Sequence, residues 1–253
     1  MKYCYSVIAA LALLVAFTAC KKETSKDTPK EDKLPEGAVD LGIVITRGDG
    51  TTYNLYWAAC NVCETGFVSS PEIYGDYYAW GETGAKTNYN WQSYRWSGDS
   101  HISLNKYCTN SSYGTVDNIT KLQKAENPGE TMDDVARAKL GGKWRMPTYT
   151  EWKALKDNTT WNTTNDYEGT GVKGIIITSK VEGYEDKSIF LPYAGRRNGA
   201  SLDDAGTHAF YWTSEVDKDE PCFAYSTCIT TSDGSFLGGN YRECGEPVRA
   251  VTE

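Results

Sequence analysis

The sequence predicts an α+β fold, with short helices packed on a small, mostly antiparallel sheet and long loops between them. Three observations carry this. Apolar residues keep helical spacing only in the middle of the chain, at Met132, Val135, Ala136 and Leu140 and again at Trp152 and Leu155. Short β-branched and aromatic runs, separated by Gly-rich turns, dominate the second half. No regular alternation of strand and helix signals appears, which argues against a parallel α/β sheet.

In chain order, the first segment reads as an export signal. Lys2 supplies a positive start, residues 7–17 form an apolar run, and small residues at Thr18 and Ala19 precede Cys20. The run falls short of the ~20 residues a membrane-spanning helix needs. Residues 1–19 resemble a bacterial lipoprotein signal peptide, with an ordinary secretory signal as the alternative; the resemblance implies lipid on Cys20 and several acyl chains anchoring the chain to a membrane. Residues 20–35 mix both charges without apolar periodicity and read as a flexible tether. Residues 36–253 are expected to form one domain, and no period of ~20–50 residues suggests repeats.

Within that domain, residues 38–46 and 53–62 flank Gly48-Asp49-Gly50 and predict a β-hairpin. Ser70-Pro71-Glu72 offers an N-cap followed by proline and predicts a short helix over 72–78. Tyr74, Tyr77, Tyr78 and Trp80 cluster there, as core packing or as a stacking platform. Residues 81–130 lack periodicity and read as structured loops. The helix around Val135 stops at Gly141, and Thr148 with Glu151 forms a capping box that opens a second helix to about Asp157. Strands are expected at 174–180, 188–191, 209–214, 222–230 and 247–251, with turns at Glu182-Gly183, Asp233-Gly234 and Gly238-Gly239.

The net charge of −8 repels the phosphate backbone that dominates nucleic-acid affinity, so nucleic acid is excluded as a partner. Beyond Cys4 and Cys20, six cysteines remain: Cys60, Cys63, Cys108, Cys222, Cys228 and Cys244. An even count in an exported chain permits disulfides. On one strand, Cys222 and Cys228 would lie about 20 Å apart and could not bridge each other. The connectivity stays open, with Cys60 to Cys108 the preferred pairing.

Around residues 141–152 (GGKWRMPTYTEW) the chain resembles the C-type-lectin-like major paralogous domain lipoproteins of gut Bacteroidetes. Further matching blocks are VDLG at 39–42, YWAACNV at 56–62, YGDYYAWGE at 74–82, KYCTNSSYGTVDN at 106–118, IFLPYAGRRNG at 189–199, FYWTS at 210–214 and PVRAV at 247–251. Cys63, Cys222, Cys228 and Cys244 depart from the family pattern. The resemblance implies a C-type-lectin-like fold. It also implies a likeness to the variable proteins of diversity-generating retroelements, whose final segment is a ligand-binding face. Carried onto this chain, the binding residues would be Arg197, Asn198, Asp203, Asp204, His208, Phe210, Glu215, Phe223, Tyr225, Asn240, Tyr241 and Glu243.

RMPTYTEW and PVRAV are also similar to blocks of formylglycine-generating enzymes. Those enzymes hold copper between two close cysteines, which the spacing of Cys222 and Cys228 does not provide. Asp203-Asp204 and residues 217–220 could hold a hard cation, but acidic loops are more often simply solvated. His101 and His208 stand far apart, and the CNVC at 60–63 has no second pair at zinc spacing. Ala85 in GETGAKT removes the glycine a phosphate loop needs, and no Gly-x-Ser-x-Gly elbow occurs. No metal, cofactor or catalytic group is expected. The expected function is a lipoprotein of the outer membrane, or of the cell surface, that binds a protein or glycan through its C-terminal loops. The alternatives are a structural, fimbria-like surface component and an oxidoreductase similar to the formylglycine-generating enzymes.

Overall fold

The structure, a computed structural model, describes residues 33–230 and 237–253. The signal segment, Cys20, most of the tether and the Asp233-Gly234 turn lie outside the described residues. Residues Leu34–Glu253 form one compact unit.

The α+β expectation is corrected by what the chain does: it is mostly β. Fifteen strands make five small sheets, all with antiparallel pairing, against two α-helices of 6 and 10 residues among the described residues. The strands are β1 (Ala38–Thr46), β2 (Thr52–Ala58), β3 (Val62–Cys63), β4 (Gly66–Phe67), β5 (Tyr78–Ala79), β6 (Thr159–Thr164), β7 (Gly174–Ser179) and β8 (Ser188–Pro192). They continue as β9 (Arg196–Asn198), β10 (Ser201–Asp203), β11 (His208–Val216), β12 (Phe223–Thr230), β13 (Leu237–Tyr241), β14 (Gly245–Glu246) and β15 (Val251–Thr252). The sheets are ordered β1-β2-β15, β10-β9-β14-β5, β11-β12-β13, β3-β4 and β6-β7-β8.

Both helices expected from periodicity form, as α1 (Val135–Leu140) and α2 (Tyr149–Asn158), and each is short for a local reason. Asp134 caps α1 through Arg137 N, and Gly141 at φ +67° ends it. Thr148 and Glu151 form the reciprocal capping box of α2. The helix expected over 72–78 does not form. Ser70 Oγ donates to Glu72 Oε1 at 2.5 Å instead of receiving a backbone N–H, and Gly75 adopts φ +80°. A Cβ at Gly75 would come within 2.7 Å of Val62 O, so close approach to β3 requires a glycine there.

The extra β content comes from stretches with weak apolar signal. β6 (TTWNTT) leaves α2 directly and pairs along its length with β7, from Thr159↔Ser179 to Thr164↔Gly174. Its threonines suit a pleated surface better than a loop. The β1–β2 hairpin forms as expected, with Thr46↔Thr52 beside the turn, but it ends at Ala58. Of the expected strand at 247–251, only Val251 lies in regular pairing, against Trp57.

Two apolar clusters meet across these sheets. One packs Trp152 and Leu155 of α2 against Leu41, Leu55, Trp57, Ile177, Leu191 and Tyr211. The other gathers Trp80, Tyr107, Trp144, Trp212 and Val248. Tyr77, Tyr78 and Trp80 are buried, which makes them packing residues. Two arginines are fully buried. Arg249 donates to Asn61 Oδ1 at 2.9 Å, Ala58 O at 3.0 Å and Phe190 O at 2.8 Å, and also to Ala59 O. Arg242 donates to Tyr94 Oη at 2.9 Å and to the carbonyls of Tyr107, Pro221 and Lys106 at 2.8–3.1 Å. Each guanidinium donates to several backbone carbonyls in the interior. Arg242 lies directly beside Tyr241, on the face described next.

Candidate ligand-binding face

Strand alternation builds the candidate site. On β12, Ala224 and Ser226 point inward and are buried, while Phe223 and Tyr225 point to the opposite face and are half-buried. Further along the same face, Thr227 and Ile229 are covered by the core that includes Trp152 and Tyr211. That core stops short of Phe223 and Tyr225. On the neighbouring strand, Gly238 and Gly239 stand opposite Ser226 and Tyr225, so β13 places no side chain beside the Tyr225 ring.

The exposed end is lined with rings. Tyr149, the first residue of α2, meets Tyr225 with centroids 5.1 Å apart. Tyr225 and Phe223 stand two residues apart on one face, a separation of ~7 Å. Phe223 pairs across the ladder with Tyr241, the rings stacking at 4.3 Å and 21°. Trp91 meets Tyr241 nearly perpendicularly at 5.9 Å and reaches toward His101 at 6.3 Å. Trp91 opens a single 3-10 turn whose ends are tied by Asn90 and Ser93 in a reciprocal cap. Tyr241 is 41% exposed and Tyr149 37%. The result is an aromatic strip of Tyr149, Tyr225, Phe223, Tyr241 and Trp91, with His101 at its end.

A cleft of ≈ 330 Å³ opens at the Tyr149–Tyr225 end, lined also by Thr120, Thr150, Glu215, Val216 and Lys218. Glu215 organises its rim: Oε2 accepts the Tyr149 N–H at 2.8 Å, at the N-terminus of α2, and Oε1 pairs with Lys121 at 2.8 Å. Burial pushes the Tyr225 hydroxyl above its usual value, aided by Asp217 and Asp219 nearby, so it stays a neutral hydrogen-bond donor at physiological pH.

Of the twelve residues expected to bind, Glu215, Phe223, Tyr225 and Tyr241 converge on this strip. Phe210, Asn240 and Glu243 are buried. Phe210 stacks on His208 at 5.7 Å with Arg196 above it at 4.8 Å. It pairs with Cys228, which lies on the other face of β12. Arg197, Asn198 and Asp203 belong to the β9–β10 hairpin, with Arg197 held over the Tyr77 ring at 5.3 Å, and Asp204 follows it at φ +60°. Sequence reasoning missed Trp91, His101 and Tyr149. Tyr149 carried no separate signal, because three residues before Trp152 it falls beside the helix's packed stripe.

Of the acidic runs considered for a cation, Asp217 Oδ1 accepts the backbone N–H groups of Asp219 and Glu220 and so closes a turn. No group of three or more His, Cys, Asp or Glu among the described residues could hold a metal ion. Among the described residues no helix is long and apolar enough to cross a membrane. Comparison of the chain with protein-family models, with curated proteins and with solved structures finds no match in any of the three.

Proposed function

We propose that this chain is a lipid-anchored, extracytoplasmic binding protein of the outer membrane whose aromatic strip takes up an extended glycan. The single observation behind this reading is the strip itself: five rings from β12, β13, α2 and the turn at Trp91, partly exposed and mounted on paired strands and capped turns. Ring faces and edges supply contact area at low entropic cost, and Thr150, Glu215, Lys218 and the Tyr225 hydroxyl supply hydrogen bonds at one end. That combination of apolar ring surface and dense polar groups suits a sugar, which has both apolar ring faces and many hydroxyls. The anchor reading is supported by the apolar run and small residues before Cys20, and the binding reading by the block resemblance along residues 39–251.

The test is a glycan array followed by affinity measurement with the full chain in detergent. Tyr241→Ala and Tyr225→Ala are each expected to weaken binding of an array hit by about tenfold or more, as expected for loss of a central aromatic anchor. His208→Ala, on the other side of β12, is expected to leave affinity unchanged. Capture of a protein by the strip, with no glycan bound, would replace the ligand class in this reading.

A further inference from the structure

The six cysteines of the described residues are free thiols, and two of them share one place in the fold. Cys108 and Cys222 are buried together in a cluster whose other fully buried member is Leu104. Their backbones are clamped to each other from several sides. One nitrogen of Arg242, Nη1, donates both to Tyr107 O at 3.1 Å and to Pro221 O at 2.8 Å, the carbonyls immediately preceding the two cysteines. Thr109 Oγ1 donates to Lys218 O at 2.5 Å, and Asn110 Nδ2 to Asp219 O at 3.2 Å. Each cysteine backbone is held by a further hydrogen bond. Cys108 N donates to Asp117 Oδ1 at 3.0 Å, and Cys222 O accepts the Arg242 N–H at 3.1 Å.

Two carbonyls bonded to one guanidinium nitrogen stand within about 6 Å of each other at such bond lengths. The two cysteines follow those carbonyls directly, and their side chains share one buried cluster, so they stand as neighbours. We propose that Cys108 and Cys222 are a preorganised pair that closes to a disulfide under oxidising conditions. Its occurrence in the cell rests on the extracytoplasmic reading above; its chemistry does not. The thiolate of one cysteine attacks a small-molecule or protein disulfide, forming a mixed disulfide and releasing one thiol. The second cysteine then displaces the remaining thiol, so two electrons and two protons pass to the oxidant.

The bond would staple the 106–110 segment to the start of β12. It would hold Phe223, the residue after Cys222, in place beneath Tyr241. Burial pushes the Cys222 thiol up to about 11, so exchange through it accelerates with rising pH.

The test uses the full chain, oxidised with a glutathione redox mixture both in the folded state and during refolding from urea, then alkylated and mapped without reduction. The expected result is a linked peptide pair carrying Cys108 and Cys222, formed in at least one of the two conditions and absent from Cys108→Ala and Cys222→Ala. Closing a loop of this length should raise the melting temperature by roughly 5–15 °C, reversibly with reductant. The wild-type map decides the matter even where a variant folds poorly. Recovery of both cysteines as alkylated thiols in both conditions, or their linkage to other cysteines instead, would overturn the proposal. Neither outcome depends on whether the aromatic strip binds a glycan.

Discussion

Replacing Arg249 with methionine is expected to destabilise the protein by about 3–5 kcal/mol, the range for removing one partner from a buried ionic or hydrogen-bonded network. Methionine restores much of the stem's volume but none of the donors. The carbonyls of Ala58, Ala59 and Phe190 and the Asn61 side chain would lose their partner at once. Asn61 is itself fully buried and also donates to Tyr74 O and Tyr211 Oη, so the damage spreads from β2 and β8 to β11. Arg249 has no carboxylate among these partners, and burial pulls its guanidinium below its ordinary value. It is therefore held by hydrogen bonds to neutral acceptors and not by an ion pair. Urea unfolding followed by circular dichroism checks this, as a lower midpoint at unchanged slope.

The second large effect is a dependence of stability on pH that comes from the C-terminal segment. Burial pushes the carboxyls of both Glu243 and Glu246 up to about 7. Glu246 Oε2 accepts from Ser226 Oγ at 2.6 Å and Oε1 from Asn240 Nδ2 at 2.7 Å, while Glu243 Oε2 is buried without a hydrogen-bond partner. In the unfolded chain both groups ionise near 4.5, so the folded state binds their protons more tightly. The stabilisation they contribute is fully present below about pH 4.5 and is lost as pH rises through about 7. The loss is expected to reach roughly 3 kcal/mol per group, since each tenfold gain in proton affinity on folding is worth about 1.4 kcal/mol. Glu243→Gln with Glu246→Gln should flatten the curve between about pH 5 and 8 relative to wild type. The effect bears on binding, because Tyr241 lies two residues before Glu243.

How much of this was legible in the sequence follows from where the physics is local. The capping box at Thr148 and Glu151, the stop at Gly141 and the hairpin around Gly48-Asp49-Gly50 are decided within a few residues, and each forms as read. The helix expected at 72–78 does not form: Ser70 gives its hydroxyl to Glu72, and Gly75 turns at φ +80° where a side chain would collide with Val62 O, distant from it in sequence. The β excess that overturned the α+β expectation sits in threonine- and arginine-rich stretches such as β6 and β9, which acquire strand geometry from their neighbours. The aromatic strip was half legible. Phe223, Tyr225 and Tyr241 lie in the segment singled out, but Trp91 and Tyr149 join them only through tertiary packing. Asn240 and Glu243 read as polar loop residues, yet they are buried around Glu246 and Arg242.

If the strip on β12 and β13 is the recognition surface, removing two of its rings must abolish recognition without unfolding the chain. The decisive comparison is calorimetric binding of a glycan-array hit to wild type and to the Tyr225→Ala/Tyr241→Ala double variant, at matched melting temperatures. The double variant should lose affinity by more than about tenfold while its fold is retained. Unchanged affinity in that variant would contradict the assignment of the strip as the binding face.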